Sequence, residues 1–88
     1  MNDAVLLNQL EELAEKLGIA IRYENINVEN SPGTGGLCRM KGEYVLIVHS
    51  RLTVREKIRI LTGALRHFDL DEIYVRPVLR ELLEKSAD

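Results

Sequence analysis

The stretch Tyr44-Val45-Leu46-Ile47-Val48-His49-Ser50-Arg51-Leu52-Thr53-Val54-Arg55-Glu56-Lys57-Ile58-Arg59-Ile60-Leu61-Thr62-Gly63-Ala64-Leu65-Arg66-His67 runs an apolar strand through a short turn into an amphipathic helix. Tyr44 to Val48 is an unbroken apolar or aromatic run with no polar alternation, the pattern of a strand covered on both faces. It predicts a strand in the middle of a sheet. Thr53-Val54-Arg55-Glu56 then supplies T-x-x-E, a capping box in which the Thr53 hydroxyl accepts from the Glu56 amide and the Glu56 carboxylate accepts from the Thr53 amide. That box starts a helix at Val54. Val54, Ile58, Leu61 and Leu65 recur at helical spacing, with Ile60 and Ala64 widening the stripe, and Arg55, Lys57, Arg59 and Arg66 are left mainly to solvent.

Working upstream, Leu37-Cys38-Arg39-Met40 and Glu43 to Val48 flank Lys41-Gly42, a hairpin with a two-residue turn. In that register Met40 faces Glu43 and Cys38 faces Val45. Cys38, Met40, Val45, Ile47 and His49 share one face; Leu37, Arg39, Tyr44, Leu46 and Val48 share the other. Asn30-Ser31-Pro32-Gly33-Thr34-Gly35-Gly36 is turn chemistry throughout and reads as a connector. It lacks the G-x-x-x-x-G-K-[ST] pattern and leads into a strand, which argues against a phosphate loop. Before it, Ile19, Ile21 and Tyr23 alternate with Ala20, Arg22 and Glu24 as a half-buried strand, and Ile26 and Val28 extend the alternation. Leu6, Leu10, Leu13, Ala14 and Leu17 define a first helix, capped by Asn2 or Asp3, with Glu11, Glu12 and Glu15 on its wet face. Gly18 ends it in the left-handed conformation.

Downstream, Asp69-Leu70-Asp71-Glu72 offers a D-x-x-E cap while Ile73-Tyr74-Val75 is β-prone; a short helical turn is the expectation. Pro77 suits the first turn of a last helix whose apolar stripe is Val78, Leu79, Leu82 and Leu83, with Glu81, Glu84 and Lys85 opposite. Ser86-Ala87-Asp88 should fray. The expected fold class is α+β, in the order α-β-β-β-α-α, with a three-stranded sheet packed by the first and central helices in a single domain over residues 1–88.

Of the 88 residues, 45% are hydrophobic and 30% charged, which fits a folded chain and excludes a disordered one. A chain this short buries only about 60% of its unfolded surface. Self-association, as a possible homodimer, is therefore expected, with an apolar stripe on the first or last helix covered by a second chain. The one cysteine can form no intrachain disulfide and supplies too few thiols for a zinc knuckle. Met1-Asn2-Asp3 lacks the basic start of a secretory signal, and no apolar run approaches the roughly 18 residues of a membrane span. These features point to the cytoplasm, with no membrane partner. Net charge is −2, with the bases concentrated in residues 51–67 between acidic flanks. Compensation within one fold explains that layout better than a nucleic-acid surface, which carries a clear basic excess.

Two constellations could carry chemistry. A nucleophilic Cys38 needs a base within hydrogen-bonding distance, but His49 lies four positions beyond its cross-strand neighbour, about 13 Å at ~3.3 Å per residue. Cys38 reads instead as a small core residue, inert to reagents. His67 complements the negative end of the central helix, and His49 ends a strand facing solvent. Two histidines at this spacing define no metal site.

The run Val45 to Thr53 followed by Arg55 to His67 resembles the core of the ImmA/IrrE-type minimal zinc metallopeptidases, in which a strand, a turn and a helix carry H-E-x-x-H. The preceding helix, strand and hairpin are similar too. In that alignment Gly63-Ala64-Leu65-Arg66-His67 occupies the motif. The family's chemistry needs two histidines at i and i+4 as zinc ligands, a glutamate between them as general base and a later acid as third ligand. Only His67 matches; Gly63 stands at the first ligand and Ala64 at the base. The resemblance thus implies a zincin-like scaffold without zinc or any other cofactor, and no enzymatic activity. The chain also resembles a widespread group of small bacterial proteins with no assigned activity. The expected function is non-catalytic interaction with a protein partner or with self. The alternatives are nucleic-acid or anion binding through Arg51, Arg55, Lys57, Arg59 and Arg66, and a thiol-dependent enzyme built on Cys38.

Overall fold

The computed structural model describes residues 2–25 and 35–85. Local chemistry sets most of its element ends. Helix α1 spans Asp3–Lys16, begun by the Asn2 side chain accepting from the Val5 amide at 2.8 Å and closed by Gly18 at φ 79. Strand β1 covers Ile19–Glu24, β2 Gly35–Met40 and β3 Glu43–His49. Between β2 and β3, Lys41 and Gly42 both take positive φ, 53 and 82, the backbone twist that a two-residue hairpin turn needs. Helix α2 spans Val54–Leu65 behind the complete Thr53/Glu56 capping box, and α3 spans Pro77–Lys85 with proline in its first turn.

The α+β order α-β-β-β-α-α holds, and β3 is central: the sheet order is β1-β3-β2, with β1 parallel and β2 antiparallel to β3. Cys38 pairs with Val45 and Met40 with Glu43, the register read from the turn. One face carries Ile19, Ile21 and Tyr23 from β1 with Tyr44, Leu46 and Val48 from β3. Ile19, Leu46 and Val48 join Leu10, Leu13 and Ala14 of α1, Ile58, Leu61, Ala64 and Leu65 of α2, and Leu79 and Leu83 of α3 in one apolar cluster. Phe68 closes its rim, edge-on to Tyr44 at 5.1 Å.

Three expectations are corrected. The second face of the central strand is covered only in part: Val45 is buried at 8% exposure and Ile47 half-buried, but neither they nor Ala20, Cys38 and Met40 join the core cluster, and no described helix lies on their side. Val54, at the mouth of α2, is 38% exposed and falls outside the buried stripe. Phe68 to Val75 holds no helix; Asp69 accepts from the Asp71 amide at 3.0 Å in a side-chain turn, and one backbone bond, Ile73 to Leu70, closes the loop. The stripes of α1 and α3 are largely buried within this chain, though Val5 and Val78 stay 43% and 39% exposed. The extension of β1 through Ile26 and Val28, most of the Gly-rich connector and the Ser86–Asp88 end lie outside the described residues. Among the described residues no helix is long and apolar enough to cross a membrane.

Candidate functional site

The motif positions Gly63 to His67 fall at the end of α2. The Arg66 amide still reaches the Thr62 carbonyl at 3.2 Å, but the His67 amide turns to Ala64, so the last turn tightens just where a second ligand would sit. Gly63 is half-buried and a Cβ built there meets nothing within 4 Å, which leaves room for a side chain. Ala64 faces the core at 9% exposure. A glutamate at that position would bring a carboxylate against Leu61 and Leu65, at a cost in stability that a surface base would not incur. His67 is exposed, and among the described residues no group of three or more His, Cys, Asp or Glu side chains could hold a metal ion.

Cys38 is exposed, which corrects the reading of a core thiol. The physical reason is its place on an edge strand, on the face without helices. His49 is half-buried, not solvent-facing: its Nδ1 accepts from the Arg51 amide at 3.2 Å, fastening the turn after β3. With Cys38 opposite Val45, the two side chains stay about 13 Å apart at ~3.3 Å per residue. The thiol has no base beside it on the sheet.

The five basic residues do not form one surface. At about 3.6 residues per turn, Arg55 and Arg59 fall along one ridge of α2, and Lys57 falls on the opposite flank. Arg55 faces Asp3 of α1 at 3.9 Å, an exposed pair that partly neutralises the ridge. Lys57 lies 5.0 Å over the Tyr23 ring, and Arg51 sits in the turn before the helix. Arg66 faces away toward α3, lining a cavity of about 270 Å³ with Leu70, Arg80, Leu83 and Glu84.

Two regions went unmarked in the sequence. The first is the helix-free sheet face, where Val45 is 8% exposed and Ile47 half-buried between Ala20 and Arg22 on one side and Gly36 and Cys38 on the other, with Met40 49% exposed at the end of β2. Arg22 and Glu24 pair with each other at 2.6 Å on this face. The second is the outer flank of β1, where Tyr23 donates its hydroxyl proton to Glu11 Oε2. Burial pushes the Tyr23 pKa well above the ordinary tyrosine range, and the Glu11 carboxylate pushes it the same way. The polar residues Arg22 and Glu24, alternating with Ile19, Ile21 and Tyr23, were the available sign that one side of the sheet is wet. No protein-family model, curated protein or solved structure matches this chain.

Proposed function

We propose that the chain is a non-catalytic, cytoplasmic protein-interaction module on a zincin-like scaffold, and that it associates with a second copy through the helix-free face of its sheet. The observation that carries this reading is the apolar character of that face. Half-buried Ile47 of the central strand, with exposed Ala20, Cys38 and Met40 on the strands beside it and Val45 buried beneath, forms an apolar patch that no described helix covers. Of the charges on this face Arg22 and Glu24 pair with each other, and Glu43 lies at its end beside Met40. Gly63 and Ala64, where zinc ligand and base would stand in the resembling peptidases, support the non-catalytic part.

Light scattering across a concentration series tests the reading. The native chain should rise above monomer mass at high micromolar concentration, and Ile47→Glu should hold it at monomer mass with an unchanged far-ultraviolet spectrum. A native chain that stays monomeric throughout would overturn self-association.

A further inference from the structure

We infer that the open edge of β1 is a docking groove for an extended, basic segment of another protein, which adds to the sheet as a fourth strand. This deepens the interaction-module reading and rests on it. Among the described residues β1, an end strand of the sheet, pairs only with β3. The Ser50 amide donates to the Glu24 carbonyl at 2.8 Å, so the Glu24 backbone points toward β3. Backbone groups alternate along a strand, which turns those of Ala20, Arg22 and Glu24 inward to β3 and those of Ile21 and Tyr23 outward. Outward-turned amides and carbonyls on an edge are a template for strand addition.

Space and charge select the occupant. A cavity of about 390 Å³ runs along this edge, between β1 and α1, lined by Glu11, Glu15, Ile19, Ala20, Ile21 and Tyr23. Both charged side chains lining it are acidic, and Lys57 reaches only its end, 5.0 Å over the Tyr23 ring. A strand added about 4.8 Å outside β1 would place every second side chain on the helix side, against Glu11 and Glu15, where lysine or arginine is complementary. Its other side chains would continue the helix-free face beside Arg22 and Glu24. Ile19-Ala20-Ile21-Arg22-Tyr23-Glu24 contains no proline, and its two charges, Arg22 and Glu24, pair with each other on the side away from α1. The β2 edge is different, carrying Arg39 with Lys41 in the adjoining turn. A second copy does not suit the β1 groove. Edge-to-edge pairing would bring its own Glu11, Glu12 and Glu15 toward the same glutamates.

The test uses the native chain and labelled synthetic peptides of about eight residues that alternate lysine with valine, or glutamate with valine, followed by fluorescence anisotropy. The lysine peptide should bind at least about tenfold more tightly than the glutamate peptide and slow amide exchange at Ile21 and Tyr23, and Glu15→Lys should weaken it about tenfold. N-methylation of one alternate set of its residues should abolish binding while methylation of the other set leaves it, since only one set faces β1. Equal binding of the acidic peptide, equal tolerance of both methylated sets, or no binding at all would overturn the groove. If the peptide fails while Ile47→Glu still dissociates the native assembly, only the groove falls; if both fail, the interaction reading falls with it.

Discussion

Leu46 and Ile47 are neighbours on the same central strand, yet one is 1% exposed beneath three helices and the other lies half-buried on a face with no helix over it. A run of five apolar residues does not by itself say how many faces are covered. The flanking strands do: on the covered side β1 supplies Ile19 and Ile21, and on the open side it supplies Ala20 and Arg22. Burial in a sheet is decided across strands as much as along them.

The contrast should be largest in the core. Leu46→Ala should lower unfolding free energy by about 2–5 kcal/mol, through lost transfer energy and the cavity left among the helices. Ile47→Ala should cost about 1 kcal/mol, since it removes only partly buried surface. Chemical denaturation at low protein concentration measures both, and equal costs would show that the open face is covered after all.

Smaller effects sharpen the same contrast from the edge of the covered side. Thr53→Ala should cost about 1 kcal/mol, because α2 loses the side chain that caps its first turn. The backbone amide of Thr53, and then its hydroxyl, hold the Glu56 pKa below the ordinary glutamate value. A lowered folded-state pKa gives stability that is present above the unfolded value and lost as pH falls through the folded one. Thr53→Ala should therefore flatten the acid limb of the stability profile below about pH 4.3. Tyr23→Phe should cost about 1 kcal/mol by removing the bond to Glu11. Here the sign is opposite: a raised folded-state pKa gives stability present below the unfolded value and lost as pH rises. The native chain should weaken above about pH 10, and the phenylalanine variant should weaken less there.

The smallest change in stability belongs to the open face. Cys38→Ser should stay within about 0.5 kcal/mol of the native chain, and thiol reagents should label native Cys38 nearly as fast as the unfolded protein. That rate holds in dilute solution; at high micromolar concentration a second copy seated over the face should slow labelling.

Elements governed by adjacent residues are legible in the sequence alone. Thr53 and Glu56 fix the start of α2, Lys41-Gly42 fixes the hairpin and its register, Gly18 fixes the end of α1, and Pro77 the start of α3. What depends on distant packing is not legible in that way. Cys38 looks like a core residue until β2 is placed at an edge, and Val54 obeys the helical period yet sits beyond the reach of the sheet. Asp69 has the spacing of a helix cap, but its carboxylate bonds the Asp71 amide two residues on, diverting the backbone into a turn. The five basic residues are close in sequence, but the helical twist parts Lys57 from Arg55 and Arg59, and Arg51 and Arg66 lie beyond the two ends of α2.

The Lys41-Gly42 turn also fixes an order of assembly. It joins Met40 to Glu43 across two residues, whereas the pairing of Tyr44 with Ile19 must close a loop 25 residues long. Because closure entropy rises with the logarithm of loop length, by about 0.6 kcal/mol per doubling, the hairpin zips locally and carries α2 directly behind it. β1 and its helix arrive at a scaffold that already exists. Lengthening the chain between β1 and β2 should then slow the final folding step while leaving the hairpin phase untouched. In the reverse direction β1 is the first strand to leave, which makes the proposed docking edge also the most easily released one.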